Sequence, residues 1–193
     1  MRIEGLILAA GLSTRAQSYK MTLPFDDGTV LERVIKRMEA YCERIIVVGG
    51  YRHELLVPIC ACYPKVVLVI NEHYEEGMFS SIKCGLAHLQ CDRFFMSPGD
   101  YPLVQAEVYE QMLKTEDEVV IPIYRGRSGH PILVAGQYIE TCLQNTGYQT
   151  MRDFIKDRQV TYVNVADKGI LLDIDTLNDY EAALRRFQHA DYR

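Results

Sequence analysis

Short apolar runs recur along this chain, spaced so that a helix fits between most neighbouring pairs. Residues 6–10, 45–48, 66–70, 93–96 and 119–124 are rich in branched and aromatic side chains and show little polar alternation. Strands of that kind are covered on both faces, which antiparallel hairpins rarely require. Between them, residues 30–41 place Leu31, Val34, Ile35 and Met38 on one helical face. Further helices are expected over 54–62, from Ser80-Ser81 to about Leu89, and over 105–114. The remainder reads as a turn at 126–131, a short strand at 132–135, and helices at 136–144 and 151–156. Short strands at 160–165 and 170–174 and a closing helix over 179–189 complete it. Strands alternating with helices imply an α/β fold with a mainly parallel sheet and helices on both faces. Ligands of such sheets bind beyond the carboxyl ends of the strands, so polar motifs that follow the strands share one rim.

The most concentrated of these motifs follows the first strand. Leu6-Ile7-Leu8 passes through Ala9-Ala10-Gly11 into a polar segment with Ser13, Thr14, Arg15 and Lys20. A buried strand, a glycine-containing turn and two cations commonly hold phosphate, the backbone N–H groups pointing at the anion. An ordinary strand–loop with solvated cations has the same composition. Asp100, in Ser97-Pro98-Gly99-Asp100-Tyr101-Pro102, ends the strand at 93–96 and suits either a divalent metal or an Asx-type turn. In Leu172-Asp173-Ile174-Asp175-Thr176, strand alternation puts Asp173 and Asp175 on one face, where either could complete a metal site with Asp100. Asp175 could equally cap the following helix. Gly129-His130-Pro131 lies in the turn at 126–131, its histidine suited to a phosphate, an acceptor substrate or a structural role.

Composition narrows the classes. Lys and Arg total 21 against 26 Asp and Glu, a net charge of −5 that lacks the basic footprint of a general nucleic-acid binder. Cys42, Cys60, Cys62, Cys84, Cys91 and Cys142 contain no CxxC pair, which argues against a zinc site and for reduced thiols in a cytoplasmic protein. The chain runs from Met1-Arg2 directly into a strand, so no signal peptide is expected, and no apolar run approaches the roughly 20 residues that cross a bilayer. One domain over 1–193 is expected.

Taken together the motifs resemble those of the molybdenum cofactor cytidylyltransferases. The family's Leu-Ala-Ala-Gly-x-Ser-x-Arg-Met-Gly-x-x-Lys stands here as Leu8 to Lys20, followed by Leu23-Pro24. Gly77-Met78-Phe79-Ser80-Ser81-Ile82, Asp100-Tyr101-Pro102, Gly129-His130-Pro131 and Asp173-Ile174-Asp175-Thr176 match its later elements, in order. The resemblance implies a three-layer, Rossmann-like nucleotidyltransferase fold of the nucleotide-diphospho-sugar transferase type. It implies transfer of a nucleoside monophosphate, most closely CMP from CTP, to the phosphate of molybdopterin, with release of pyrophosphate. Such transfer needs in-line positioning and charge neutralisation. By resemblance Ala9, Ala10, Gly11, Leu12, Ser13, Thr14, Arg15, Lys20, Ser81 and Asp100 meet the nucleotide, Ala9 and Ala10 reading the base. Arg15, Lys20 and Asp100 carry the catalysis, Asp100 and Asp175 hold Mg²⁺, and Gly129 and His130 lie on the acceptor side. No nucleic acid or membrane partner is expected, and transient contact with a molybdoenzyme or its chaperone is.

Two stretches depart from the pattern. Ala16-Gln17 replaces Met-Gly, and the Gly-Asp-x-Gly stretch appears only as Asn145-Thr146-Gly147-Tyr148. These leave open a guanylyl transfer, a sugar or alcohol phosphate as acceptor, or a nucleotide-binding protein without catalysis. The Ala9-Ala10-Gly11 start favours the cytidylyl branch, since guanylyl relatives more often carry Ala-Gly-Gly there.

Overall fold

The computed structural model describes residues 1–11, 19–144 and 147–190. Its strands are β1 (Ile3–Ala9), β2 (Pro24–Phe25), β3 (Gly28–Thr29), β4 (Arg44–Gly49), β5 (Val66–Ile70), β6 (Arg93–Pro98), β7 (Val119–Tyr124), β8 (Arg127–Ser128), β9 (Ile132–Ala135) and β10 (Thr161–Asn164). Its helices are α1 (Val30–Met38), α2 (Val57–Ala61), α3 (Met78–Leu86), α4 (Ala106–Leu113), α5 (Tyr138–Gln144), α6 (Met151–Lys156) and α7 (Leu177–Ala190). The main sheet runs β10-β7-β9-β6-β1-β4-β5, with β8 paired to β7, and β2 and β3 form a separate hairpin. All path neighbours are parallel except β9, which runs against both β6 and β7. The sheet is therefore the mainly parallel one that the apolar runs predict.

Alternation along each strand splits the core in two. Ile7, Ile45, Val47 and Phe95 pack with Leu31, Ile35, Val108 and Met112 of α1 and α4 on one face. Leu6, Leu8, Ile46, Val48, Phe94 and Met96 pack with Ile82, Leu86, Cys142 and Phe154 of α3, α5 and α6 on the other. Each large side chain so buried contributes about 1.5–3 kcal/mol, so both faces must be apolar, which is why the runs lack alternation. A third cluster joins Phe25 and Val30 to Leu103, Ile174 and Ala183, fastening α7 and the segment before it to the β2–β3 hairpin.

The strand expected over 170–174 does not form. The chain turns in a 3-10 helix at Lys168–Leu171, and 172–176 runs on outside any sheet. The backbone groups find partners in other loops: Ile170 C=O accepts from His130 N–H at 3.0 Å, and Ile174 N–H donates to Asp100 C=O at 3.0 Å. Strand alternation therefore does not govern Asp173 and Asp175. Nor does Asp175 cap the last helix in the expected way: Thr176 and Asp179 do so reciprocally, the Thr176 Oγ1 accepting from Asp179 N–H and the Asp179 carboxylate accepting from Thr176 N–H at 2.8 Å.

Smaller differences have local causes. α3 begins at Met78 rather than Ser80, because Gly77 takes φ 102, a conformation that suits glycine, and turns the chain into the helix there. The Ser80 hydroxyl lies within hydrogen-bond distance of both the Gly77 and the His73 carbonyls, to one of which it donates, instead of capping. The helix expected over 54–62 divides into a 3-10 turn at His53–Leu55 and α2, with Pro58 in the first turn of α2, where its missing N–H costs least. Part of the turn at 126–131 is β8, closed onto β7 through Arg125 and Gly126, both at positive φ.

Candidate active site

β1 lies between β4 and β6, so the chain leaves it in opposite directions at the β1/β6 boundary, the switch point where crevices open in sheets of this kind. Pairing of Leu8 with Pro98 brings the ends of β1 and β6 level, and Ala10-Gly11 and Gly99-Asp100 emerge side by side. Gly99 N–H donates to Leu8 C=O at 2.8 Å and ties the two exits together.

Lys20, which opens the 3-10 helix Lys20–Thr22, stands at the same rim. Its neighbours anchor it: Tyr19 is buried and donates its hydroxyl to Ala9 C=O at 2.8 Å, and Met21 is buried in the core. The Lys20 Nζ lies 2.5 Å from Asp100 Oδ2 and 3.1 Å from Asp175 Oδ1. Residues separated by most of the chain thus share one ammonium group. The bond from Ile174 N–H to Asp100 C=O brings Asp175 there, while the exposed Asp173 lines the neighbouring cavity.

The electrostatics are unbalanced. Burial works against the Lys20 ammonium, but the Asp100 and Asp175 carboxylates outweigh it and hold its pKa above the ordinary lysine value. Burial also pushes the Asp100 carboxyl up, and Lys20 offsets only part of that effect. Asp100 Oδ1 is buried without a hydrogen-bond partner among the described residues. A buried carboxylate oxygen with unmet bonding capacity, a second carboxylate beside it and one monovalent cation between them suit a divalent cation bound with phosphate oxygens, since Mg²⁺ uses few protein carboxylates.

Two adjoining cavities open here, and Lys20 and Asp100 of the triad line the smaller. The smaller, of about 330 Å³, is lined by Ala10, Gly11, Lys20, Ser81 and Asp100 together with Tyr74 and Glu75. The larger, of about 960 Å³, is lined by Gly129, His130, Tyr101 and Asp173 among others. Leu8, Gly77, Met78 and Pro98 border both. Of the expected nucleotide residues, Ala10, Gly11, Lys20, Ser81 and Asp100 are therefore together. Ala9 is fully buried and lines neither cavity, its carbonyl engaged by Tyr19. Leu12, Ser13, Thr14 and Arg15, like Ala16-Gln17 and Asn145-Thr146, lie outside the described residues. His130 packs edge-on against Tyr101 with ring centroids 5.1 Å apart, and burial depresses its pKa to about 4, so its imidazole is neutral at pH 7.

Residues 5–163 match the family described as the MobA-like NTP transferase domain. The chain is 32% identical over 186 residues to the molybdenum cofactor cytidylyltransferase of Escherichia coli strain K12, covering 96% of this chain and 97% of that protein. The chain belongs to the MobA-like NTP transferase family. It is a nucleotidyltransferase. A probable molybdenum cofactor guanylyltransferase of Bacillus cytotoxicus is 28% identical over 138 residues, 69% of this chain and 67% of that one. In fold the chain matches a nucleotidyl transferase from Methanothermobacter thermautotroptrophicus at a TM-score of 0.83, with 20% identity over 98% of this chain and 99% of that one. The Rossmann-like, three-layer architecture expected from the motifs is the one found.

Beside the smaller cavity stands Asn71, a residue that no motif flagged. It is buried at the end of β5, and its Nδ2 donates to Ser80 Oγ and Ser81 Oγ, both at 2.9 Å, while its Oδ1 accepts from His73 N–H at 3.0 Å. It thereby orients Ser81 and the turn carrying Tyr74 and Glu75 over the smaller cavity. A polar residue closing a β-branched strand was the available signal.

Proposed function

We propose that this protein transfers CMP from CTP to the terminal phosphate of molybdopterin, releasing pyrophosphate. The observation that carries the reading is the Asp100–Lys20–Asp175 triad, whose Asp100 and Lys20 line the smaller of two cavities that meet at Leu8, Gly77, Met78 and Pro98. A two-substrate transfer needs two pockets that meet at the reacting atoms, and a phosphoryl transfer needs charge control there. The cytidine assignment rests on the relative named a cytidylyltransferase, matched over nearly the whole of both chains.

The triphosphate enters the smaller cavity. Among the described residues nothing lies within 4 Å of where a Gly11 Cβ would be, which leaves the backbone there open to the close approach of a phosphate. Lys20 offsets charge around the α-phosphate and the departing pyrophosphate, and Arg15, outside the described residues, is assigned the same role. Asp100 and Asp175 would hold a divalent cation, Mg²⁺ in this reading, as the Asp100 Oδ1 left without a partner among the described residues supports. When bound, that cation neutralises and orients the phosphate oxygens. Asn71 holds Ser81 in place beside the nucleotide.

The acceptor occupies the larger cavity, its phosphate reaching the shared border at Leu8 and Pro98. A phosphate oxygen forms the new bond to the α-phosphorus as the bond to the bridging oxygen of pyrophosphate breaks. Gly129 and the neutral His130 shape that cavity's wall. Residues 1–193 act as one transferase unit in a reducing cytoplasm. Six free cysteines agree with that setting, as does the absence, among the described residues, of any helix long and apolar enough to cross a membrane. The product passes to a molybdoenzyme or its chaperone by transient contact.

The decisive experiment is a pyrophosphate-release screen of the four nucleoside triphosphates with and without molybdopterin. CTP turnover that requires molybdopterin is expected. Turnover with GTP alone, turnover only with a sugar or alcohol phosphate, or nucleotide binding without release would each replace the proposal.

A further inference from the structure

The main sheet ends in two unlike edges. β10 carries the polar Thr161 and Asn164, whereas β5 is Val66-Val67-Leu68-Val69-Ile70, branched aliphatic throughout and without a charge or a proline. An edge of that kind is a template for a further strand, and chains that stay single blunt such edges with Lys, Pro or a bulge. Val66 and Leu68 pack into one core and Val69 into the other, but Val67 joins neither and is 42% exposed.

The backbone groups of β5 divide by residue. Ile45 N–H donates to Lys65 C=O at 2.8 Å and Asn71 N–H to Gly49 C=O at 2.9 Å. Odd-numbered residues of β5 therefore spend their backbone groups on β4, and Val66, Leu68 and Ile70 turn theirs away from the sheet. Of these, Val66 N–H is met by Tyr63 C=O at 2.9 Å, and Ile70 C=O by the Cys84 thiol at 3.8 Å. Leu68 N–H, Leu68 C=O, Val66 C=O and Ile70 N–H have no partner among the described residues.

Those four groups complement themselves. In an antiparallel pair of two β5 strands centred on Leu68, each Leu68 exchanges both bonds with its counterpart, and each Ile70 N–H meets the Val66 C=O of the other strand. Val67 then lies opposite Val69, in the position where cross-strand side chains are closest. The end charges fit the same arrangement. Lys65 precedes the strand and Glu72 follows it, both exposed and neither in an ion pair among the described residues. The Lys65 ammonium caps the Glu39 and Cys42 carbonyls at 2.8 and 3.0 Å, which leaves its charge uncancelled. Antiparallel pairing sets Lys65 across from Asn71 and beside Glu72 of the other strand, whereas parallel pairing in register sets like charge on like.

We infer that this chain pairs with a second copy of itself through β5, antiparallel and centred on Leu68, so that the two sheets run on as one. The inference is independent of the reaction proposed above. Because the strands oppose, the two catalytic rims face opposite ways and both smaller cavities stay open. The Lys65 end of each copy abuts Asn71-Glu72 of the other, the stretch leading into the turn that carries Tyr74 and Glu75.

The test is sedimentation velocity on the full chain between about 1 and 100 µM, with hydrogen exchange over residues 66–70 across the same range. A concentration-dependent dimer is expected, with the Leu68 and Ile70 amides better protected in the dimer. Val67→Lys, at an exposed position outside both cores, should weaken the dimer at least about tenfold and leave the fold intact by circular dichroism. Glu72→Lys should weaken it too, and Lys65→Glu added to Glu72→Lys should restore it. A chain that is monomeric at every concentration overturns the inference. So does a dimer indifferent to Val67→Lys, which uses another face. A folded charge-swapped double variant that dimerises no better than Glu72→Lys overturns the antiparallel order.

Discussion

Asp100 is a carboxylate that the fold desolvates and then only half compensates. Its side chain is 11% exposed, Lys20 reaches one oxygen, and the other has no partner among the described residues. Burial of this kind costs stability unless a ligand repays it. Asp100→Asn keeps the shape but removes the charge, and should lower kcat for pyrophosphate release by about 10²-fold or more while leaving the fold intact by circular dichroism. Lys20→Met should lower turnover comparably, and should also lower stability, because Asp100 and Asp175 then face each other without their shared cation; a urea titration separates the two effects. His130 predicts a pH dependence. Its pKa falls from 6.5 to about 4 on folding, so the folded state binds fewer protons than the unfolded chain between those values. The stability it contributes is complete above about pH 6.5 and is lost as pH falls toward 4, at up to about 1.4 kcal/mol per pH unit. His130→Gln should show a shallower decline of the urea midpoint between pH 7 and pH 4.5 than wild type does.

Elements place these residues by backbone contacts between loops more than by side-chain packing. The segment 172–176 is held to the rim by the Ile174–Asp100 bond and to the α7 side by Ile174 itself, which is fully buried. The turn before β9 is held to the 3-10 helix at Lys168–Leu171 by His130 N–H, at a spacing so close that a Cβ on Gly129 would lie 2.2 Å from Ile170 C=O. Backbone cannot yield as a flexible side chain does. Gly129→Ala should therefore cost about 1–3 kcal/mol in urea unfolding and raise the acceptor KM, with thermal protection by CTP retained. The apolar runs made β1, β4, β6, β7 and β9 legible in the sequence, because a strand covered on both faces has a composition of its own; β5, at the sheet edge with Val67 exposed, was legible from its branched run alone. The segment 170–174 misled for the same reason: Ile170 and Ile174 are buried as a strand's residues would be, yet they are buried by separate loops. Local composition records burial, not the partner that provides it.

Across the whole molecule, the parallel order β6-β1-β4-β5 opens the crevice at one edge, and β9, running against its neighbours, leads from the turn that walls the second cavity. Binding at that crevice should stabilise the entire fold. A nucleotide at about 100 times its dissociation constant adds about 2.7 kcal/mol, a rise of roughly 5–11 °C in melting temperature for a chain of this size. CTP with Mg²⁺ should produce such a rise, and EDTA should remove most of it, because Asp100 and Asp175 otherwise repel the triphosphate. A melting scan with CTP, with and without chelator, decides it; protection indifferent to EDTA would remove the carboxylates from any metal role.

By itself the sequence determined the class of sheet, the helices that cover it, and the residue types gathered after its strands, because burial on two faces and phosphate chemistry each demand particular side chains in a particular order. It left open whether Asp173 or Asp175 would join Asp100. Only the tertiary structure decided which one reaches the Lys20 ammonium, through a single backbone bond between loops distant along the chain. Asn71 likewise acquires meaning only in space. An amide that orients a serine is defined by what surrounds it in three dimensions, and neighbours in the chain do not reveal that.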